Sequence, residues 1–498
     1  MIDHPDINSS RKKSKSEKWV RINRLATVCF GLAWLTISMD AQTIQPICAL
    51  TNSGFSSPKN PRADLVLGSD SNLYGTTQYG GSGSFGTVFK ITTTGMLTVL
   101  TNFNGSFAGG DPYGGVTLGT DGSFYGTTYF SGPGGVGTVF RVTTSGVLTR
   151  LYSFTSMTSN GSSYTNGDGA YPSAGLTLGP TGCFYGVASQ GGLNGSGTVF
   201  QITTNGTLTT LFSFDALVAS GAGSTNATGG NPYGRMAWGP DGNLYGTTLV
   251  GGSTSRGTLF RVTTSGAFTN LVNFVVTNGA DPHGGLIAGP DRNLYGTTLN
   301  GGMNGGGTVF RLTTNGALAT LVNFGYLTGE SPEGGVTFGP DGNLYGTTDG
   351  GGTNAADSWG TVFRVTTNGD LTTLADFTNT NGNDPQGGLT LGPDGYFYGT
   401  TYLGGSTDPN AAGEIYRLNI GQAVTTKSPG ISWNAGAVIL NLASVPGSTN
   451  RLWATTNLSL PMAQWQALAT NVVTNGFFQF TDTNTAGYSM KFYRISTQ

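Results

Sequence analysis

A ten-residue segment, GPDGNLYGTT at 239–248, occurs seven times with small changes along this chain of 498 residues. Its Tyr-Gly pair marks each copy, and successive pairs are 50 to 60 residues apart. A repeat of this length cannot bury its apolar surface alone and must pack against its neighbours, so the period decides the architecture. The marking tyrosines are Tyr74, Tyr125, Tyr185, Tyr245, Tyr295, Tyr345 and Tyr398.

Each repeat contains four strand-like stretches separated by turn residues. In the fourth repeat they are GRMAW (234–238), NLYGTTL (243–249), GTLFRVTT (257–264) and AFTNLVNF (267–274). Gly-Pro-Asp-Gly, Gly-Gly and Thr-Ser-Gly follow the first three, as expected of tight turns. The third stretch is apolar on both faces, which is typical of a strand covered from both sides. Seven such four-stranded sheets in tandem predict an all-β, seven-bladed β-propeller.

The two ends of the repeat region predict how the ring closes. The seventh repeat stops after its third strand, GEIYRLN (413–419), and lacks the fourth. The segment ICALTN (47–52) has the apolar spacing of that missing strand, as in LTVLTN (97–102). We therefore predict that the N-terminal strand completes the seventh blade and removes its unpaired edge, within a propeller domain of residues 42–420.

The repeats resemble the GloVer (Gloeo-Verruco) tandem-repeat family of secreted bacterial proteins. The resemblance rests on GPDGNLYGTT, on GGMNGGGTVFRLTTNG (301–316) and on their parallels, and covers roughly residues 50–418. It implies no catalytic residues that could be transferred to this chain. A weaker likeness of DGNLYGTT to gluconolactonase-like and NHL-type propellers supports the fold alone, because one fold hosts many functions.

The N-terminus has the pattern of a secretory signal peptide. Residues 11–24, RKKSKSEKWVRINR, hold seven basic residues, and a fifteen-residue apolar run follows at 25–39. A retained membrane anchor is the alternative, but a bilayer span takes roughly 20 apolar residues. We predict a signal peptide at 1–41 with cleavage near Ala41, and a product that is secreted or held at the surface or envelope of a bacterium.

The charge of the mature chain bears on its partners. Without residues 1–41, 16 basic residues face 21 acidic ones. Nucleic acid binding needs clustered Lys and Arg, so we expect no nucleic acid partner. We also expect no membrane span after cleavage, and a monomer.

The period disappears after a polar linker at 421–430. Strand-like stretches then alternate with turns over 431–498, which predicts a small immunoglobulin- or fibronectin-like β-sandwich. Its tryptophans, Trp433, Trp453 and Trp465, could form a sugar-stacking surface. Core packing is the preferred interpretation, because a domain of this size needs its aromatic residues inside.

The acidic residue of the ten-residue motif is interpreted as part of a turn. Proline presets φ, aspartate bonds nearby amides and glycine supplies positive φ. The third repeat has Thr181 in place of the aspartate, and the second has Thr120 in place of the proline. A turn tolerates such exchanges better than a site does. The aspartates excluded as catalytic candidates are Asp241, Asp291, Asp341 and Asp394.

A variable position within a constant frame is the better candidate site. Each first strand is preceded by a proline. The residue after this proline varies between the blades, and only tyrosine occurs twice. First strands line the channel of a propeller, so these side chains should ring one mouth of it and recognise a glycan or a protein. The alternative is that they are solvated loop residues. The predicted ring consists of Arg62, Tyr113, Ser173, Tyr233, His283, Glu333 and Gln386.

Two hypotheses remain for function. The preferred one is an exported, non-enzymatic binding or scaffold protein without a cofactor. The other is a lyase or lactonase-like hydrolase in which His283 and Glu333 act as an acid/base pair. Ligands for zinc are too few, but a calcium site is conceivable from a set of oxygen ligands. These would be Glu333, Gln386, Asp281 and Asp384.

Overall fold

A computed structural model describes residues 42–51, 56–161, 163–221, 223–353, 359–405 and 411–420, and the backbone of six strands between 430 and 497. The proposed signal peptide therefore lies outside the described residues. Across the described part of the chain, no helix has the length and apolarity needed to cross a membrane. The chain divides into a compact unit at Ile37–Thr425, and residues 426–498 belong to a second unit.

The strands of the first unit follow the repeats. The N-terminal strand is β1 (Ile44–Thr51). Blade 1 contains β2 (Val66–Leu67), β3 (Leu73–Thr77), β4 (Thr87–Ile91) and β5 (Leu97–Asn102). Blade 2 contains β6 (Thr117–Leu118), β7 (Phe124–Thr128), β8 (Thr138–Val142) and β9 (Leu148–Ser153), followed by the hairpin β10 (Thr158–Ser159) and β11 (Tyr164–Thr165). Blade 3 contains β12 (Thr177–Leu178), β13 (Phe184–Ala188), β14 (Thr198–Ile202) and β15 (Leu208–Ser213), followed by the hairpin β16 (Val218–Ser220) and β17 (Gly223–Thr225).

The remaining blades are built in the same way. Blade 4 contains β18 (Gly230–Pro232), β19 (Ala237–Trp238), β20 (Leu244–Val250), β21 (Thr258–Val262) and β22 (Phe268–Asn273). Blade 5 contains β23 (Ile287–Ala288), β24 (Leu294–Thr298), β25 (Thr308–Leu312) and β26 (Leu318–Asn323), and blade 6 contains β27 (Thr337–Phe338), β28 (Leu344–Thr348), β29 (Thr361–Val365) and β30 (Leu371–Asp376). Blade 7 contains β31 (Thr390–Leu391), β32 (Phe397–Thr401) and β33 (Ala411–Leu418). Two 3-10 turns, Val276–Asn278 and Tyr326–Thr328, follow blades 4 and 5.

The ring closes through the N-terminal strand, as predicted. Strand β1 pairs antiparallel with β33, with Cys48 opposite Ile415 and Ala49 opposite Glu414, so blade 7 has the order β1-β33-β32-β31. Seven clusters of buried apolar residues each join two successive blades, and one of them joins blade 7 to blade 1. The seven-bladed all-β propeller is therefore confirmed.

In each blade, a glycine in the middle of the strand that carries the Tyr-Gly pair makes room for an aromatic ring. Gly246 of β20 lies opposite Phe260 of β21. A Cβ on Gly246 would be 2.5 Å from Phe260 Cζ, so a larger residue has no space there. Glycine inside a strand ordinarily lowers stability, but here close packing of the aromatic ring requires it. The equivalent pairs are Gly75 and Phe89, Gly126 and Phe140, Gly186 and Phe200, Gly296 and Phe310, Gly346 and Phe363, and Gly399 and Tyr416.

The aspartate of the ten-residue motif has the structural role that the sequence predicts. Asp241 accepts a hydrogen bond from the Asn243 amide (3.3 Å) and another from the hydroxyl of buried Tyr245 (2.8 Å). Burial, together with the neighbouring carboxylate, raises the pKa of Tyr245 to about 12. Partial burial opposes ionisation of Asp241, yet bonds from Asn243 and Tyr245 hold its pKa below the ordinary value. The carboxylate therefore completes the turn and satisfies a buried phenol.

Replacing Asp241 by Thr, the residue that the third repeat has at Thr181, should lower the free energy of unfolding by about 2 kcal/mol, as expected for one hydrogen bond to a charged group. The loss reflects the acceptor removed from Tyr245 and should appear in urea denaturation. The reciprocal change Thr181→Asp is the control and should give a smaller gain. A loss above about 3 kcal/mol, beyond the range of one hydrogen bond to a charged group, would contradict a simple turn role.

The second unit contains two antiparallel sheets. Their strands are β34 (Gly430–Asn434), β35 (Ala437–Ala443), β36 (Thr449–Thr455), β37 (Gln466–Val472), β38 (Phe477–Asp482) and β39 (Phe492–Thr497). One sheet has the order β34-β35-β38 and the other the order β37-β36-β39. The predicted packing of Trp433, Trp453 and Trp465 lies outside the described residues.

Candidate functional site

A left-handed residue before each proline sets the position of the side chain that follows it. All seven of these residues have φ between 51° and 60°. The first strand after this residue is shorter than predicted, with Ala237–Trp238 in place of 234–238. Asn and Asp tolerate this region best and occupy five of the seven places. The residues are Asn60, Asp111, Tyr171, Asn231, Asp281, Ser331 and Asp384.

The same residues join neighbouring blades through the backbone. The amide of Asp111 donates to the carbonyl of Phe85 (2.9 Å), and that of Asp281 donates to Arg256 (3.0 Å). In the first repeat, the amide of Asn60 donates to Ala412 of blade 7 (2.6 Å). In these repeats, and in three others with the equivalent bond, the residue after the proline is therefore held at the same place relative to the preceding blade.

The structure brings all seven residues of the predicted ring into one cavity of about 410 Å³. Because every blade lines this cavity at an equivalent position, it lies on the axis of the propeller. Ser173 is buried, whereas the other six are partly exposed. We call this end of the cavity the mouth, defined by Arg62, Tyr113, Ser173, Tyr233, His283, Glu333 and Gln386.

One sector beside the mouth is aromatic. Tyr113 stacks on Tyr129 with ring centroids 4.3 Å apart, and Tyr171 lies 5.3 Å from Tyr129. Phe130 meets Tyr129 edge to face at 4.7 Å and is 40% exposed. Sequence reasoning missed Tyr129, Phe130 and Tyr171. The signal for Tyr129 and Phe130 was the pair of aromatic residues directly after the Thr-Thr pair that ends the motif in blade 2.

Arg62 lies between the aromatic and the acidic parts of the mouth. Its guanidinium carbon is 4.6 Å from the centroid of the Tyr113 ring, a cation–π distance. Its Nη2 is 3.8 Å from Glu333 Oε2, which makes a long ion pair. Burial raises the pKa of Glu333, and the positive charge of Arg62 opposes that rise. The only cation of the mouth is thus shared between a ring face and a carboxylate.

The acidic part of the mouth belongs to blades 6 and 7. Gln386 Nε2 donates to Asp384 Oδ1 (2.9 Å). Burial, followed by a hydrogen bond to Asp384, raises the pKa of Asp349 well above that of an ordinary carboxyl. Asp281, a member of the hypothetical calcium set, accepts a bond from Asn300 (3.0 Å). In the described ranges, no three His, Cys, Asp or Glu residues are grouped closely enough to hold a metal ion.

His283 contacts the backbone of Glu333 and the ring of Tyr233. Its Nδ1 is 3.4 Å from the Glu333 carbonyl oxygen, and its ring is 4.1 Å from that of Tyr233. The Glu333 carboxylate instead faces Arg62. Burial, reinforced by the positive charge of Arg62, lowers the pKa of His283 to about 4. The imidazole is therefore neutral at neutral pH, and its recorded contacts do not join it to the carboxylate of the acid/base hypothesis.

The titration of His283 can be measured directly, because it is the only histidine in residues 42–498. We expect its NMR resonance to titrate near pH 4, in contrast to about 6.5 in an unfolded chain. Since folding favours the neutral ring, His283 contributes stability above pH 6.5 that is lost as the pH falls from 6.5 through 4. His283→Gln should flatten the stability profile in that window. A titration near 6.5 would contradict the burial.

Comparison with known protein families identifies the type of repeat. The family described as the Gloeobacter/Verrucomicrobia repeat matches residues 35–226 and 222–409. A comparison with curated proteins finds no match.

Solved structures show distant likenesses. A periplasmic gluconolactonase of Pseudomonas aeruginosa is 16% identical, with a TM-score of 0.43 over 82% of this chain and 99% of that one. A gluconolactonase of Xanthomonas campestris is 12% identical, with a TM-score of 0.36 over 61% of this chain and 94% of that one. A fungal alcohol oxidase of the AA5 family is 14% identical, with a TM-score of 0.48 over 91% of this chain and 92% of that one. With TM-scores below 0.5, these likenesses carry no argument about activity.

The two family matches together span most of the chain and include all seven copies of the Tyr-Gly pair. They also confirm the family to which GPDGNLYGTT and GGMNGGGTVFRLTTNG point. The chain therefore belongs to the Gloeobacter/Verrucomicrobia repeat family.

Proposed function

We propose that this chain is an exported, non-enzymatic binding protein that takes a glycan at the mouth of its propeller channel. The observation that carries the proposal is a cavity of about 410 Å³ in which two tyrosines, Tyr113 and Tyr233, lie among polar side chains. Tyrosine rings that line such a cavity offer apolar surface to the C–H side of a sugar ring. Ser173, Gln386 and Glu333 supply donors and acceptors for its hydroxyls. A protein partner would not need such a narrow, concave site.

The chemistry of the mouth favours binding over catalysis. A general base needs a pKa near the working pH and a partner that orients it. His283 has a pKa of about 4 and contacts a backbone carbonyl, and the Glu333 carboxylate lies beside Arg62. Both groups of the hydrolase hypothesis are thus engaged in contacts that hold the mouth together.

Export and display complete the proposal. The basic and apolar segments within residues 1–41 support a signal peptide. We further propose a propeller domain at 42–420, a linker at 421–430, and a domain at 431–498 whose two sheets pack as an immunoglobulin- or fibronectin-like sandwich. Such an appended domain would present the mouth of a monomer at the cell surface or outside the cell.

The test is a glycan array probed with residues 42–498, followed by calorimetry on the best ligand. Tyr113→Ala should weaken binding about tenfold or more, because truncation of a central aromatic residue is commonly costly. Tyr113→Phe keeps the ring face and should retain most of the affinity. Tyr164→Ala is the matched control, since Tyr164 is 64% exposed and does not line the cavity. Glycan binding that is indifferent to Tyr113→Ala, or its complete absence, would overturn the proposal.

A further inference from the structure

A second ring of equivalent positions lies below the mouth. The third residue after each proline is glycine in five repeats, whereas it is Asp64 in blade 1 and Arg235 in blade 4. All seven positions line the same cavity as the mouth. We call this ring the neck, defined by Asp64, Gly115, Gly175, Arg235, Gly285, Gly335 and Gly388.

The neck is built from closely spaced backbone. A Cβ on Gly335 would be 2.8 Å from the carbonyl oxygen of Gly285, and one on Gly285 would be 3.1 Å from Arg235 Cβ. A side chain at this level must therefore project along or across the channel. A long charged residue here, where five blades have glycine, calls for a physical explanation.

Arg235 places a half-buried positive charge in the neck without a counter-charge in contact. Its Nη2 donates to Thr117 Oγ1 (3.0 Å), a neutral partner from blade 2. Within the described part of the chain, no carboxylate forms an ion pair with it at 4.0 Å or less. Burial lowers the pKa of Arg235, and Asp64 opposes that shift from a distance. A guanidinium that is partly withdrawn from water, faces a cavity and has no paired anion is well placed to bind the anion of a ligand.

The neck already accommodates a carboxylate. Asp64 Oδ1 accepts a hydrogen bond from the Gly388 amide (2.5 Å), so one neck amide is satisfied by a carboxylate oxygen. A guanidinium is planar and can donate two parallel hydrogen bonds to a carboxylate, so Arg235 could bind a second carboxylate. Such a group could reach Arg235 from the mouth, because both belong to one cavity.

We propose that Arg235 is an anion-recognition residue and that the glycan bound at the mouth carries a carboxylate, as a uronic acid does. This inference rests on the proposed function. The sugar ring lies against the tyrosines, and its carboxylate points into the neck toward Arg235. The acidic residues of the mouth do not prevent this approach. Glu333 faces Arg62, and the raised pKa of Asp349 lets that carboxyl retain its proton to higher pH.

The test compares an oligomer of galacturonic acid with the same oligomer whose carboxylates have been reduced to alcohols. Calorimetry on residues 42–498 should show at least about tenfold tighter binding of the acidic oligomer, because hydrogen bonds to charged groups are the strong ones. The preference should weaken with added salt. Arg235→Gly, which installs the residue of five other blades, should bring the affinity ratio of the two oligomers close to one.

Two further variants separate charge from structure. Asp64→Gly, again the residue of five blades, should strengthen binding of the acidic oligomer, because it removes a competing negative charge. Arg256→Ala alters an exposed arginine of the same blade and should leave both affinities unchanged. If Arg235→Gly does not fold, Arg235→Gln removes the charge while keeping a polar side chain of similar reach.

The outcomes distinguish this inference from the proposed function. If both oligomers bind equally and Tyr113→Ala weakens both, the glycan site stands and the role of Arg235 is refuted. If the acidic preference survives Arg235→Gly, the inference is also refuted. If galacturonate binding depends on Arg235 but not on Tyr113, the neck recognises anions and the glycan proposal fails. If neither oligomer binds, this inference fails for carboxylated sugars, and the glycan array decides the proposed function.

Discussion

Removal of residues 42–51 should lower the thermal midpoint of the protein by roughly 10 °C and cause it to dimerise or aggregate. Strand β1 buries Ile44 and Leu50, and loss of two such side chains costs about 5 kcal/mol. The deletion also exposes the hydrogen-bonding edge of β33, and an open edge pairs readily with another chain. Size-exclusion chromatography and calorimetry of residues 52–498 against 42–498 measure both effects.

A synthetic peptide of residues 42–51 provides the control for this deletion. If the vacant edge of β33 causes the change, the peptide added in trans should raise the midpoint and reduce association. A scrambled peptide of the same composition should do neither. Should the truncated protein elute as residues 42–498 do and melt at the same temperature, the closure of the ring would not depend on β1.

Ring closure was predictable because comparison of the repeats shows that the seventh one lacks a fourth strand. The seventh repeat ends at its third strand, and ICALTN (47–52) has the pattern of a fourth. The observed strand, Ile44–Thr51, begins three residues earlier, because β33 extends far enough to pair with Ile44 at Leu418. Periodicity identifies an element, but the length of its partner fixes its bounds.

The hairpins after blades 2 and 3 were not predicted. They form within polar insertions, at Thr158–Thr165 and Val218–Thr225, that have no counterpart in the other repeats. With only two or three residues in each strand, such segments lack the alternation by which a longer strand is recognised.

The mouth could be predicted only in part. Equivalence between repeats placed Arg62 and Glu333 on one ring, but not in contact, because they come from blades 1 and 6 with blade 7 between them. The reach of the arginine side chain joins them across the cavity. The contacts of His283 depend on the side-chain conformation of its imidazole. The repeat pattern specifies where the residue lies but not this conformation. The neck was overlooked because five of its seven residues are glycines, which suggest only a turn.

The close packing of Gly246 against Phe260 gives the other large expected effect. Phe260 is fully buried and contacts Phe214 and Phe268, with centroids 5.4 Å away in both cases. Phe260→Ala should lower the free energy of unfolding by about 3–5 kcal/mol, because it leaves a cavity between blades 3 and 4. Gly246→Ala should cost about 1–3 kcal/mol, because the new methyl group overlaps the Phe260 ring.

The double variant tests whether the two losses have one origin. In Gly246→Ala with Phe260→Ala, the methyl group enters space that the ring has vacated, so the combined loss should be smaller than the sum of the single losses. Gly350→Ala is the matched control, since a Cβ there meets no atom within 4 Å and its φ is not positive. It should change stability by less than about 0.5 kcal/mol. Additive losses in urea denaturation would mean that glycine at 246 serves the backbone alone. In that case, space for the aromatic side chain of the next strand would not explain why every repeat has a Tyr-Gly pair.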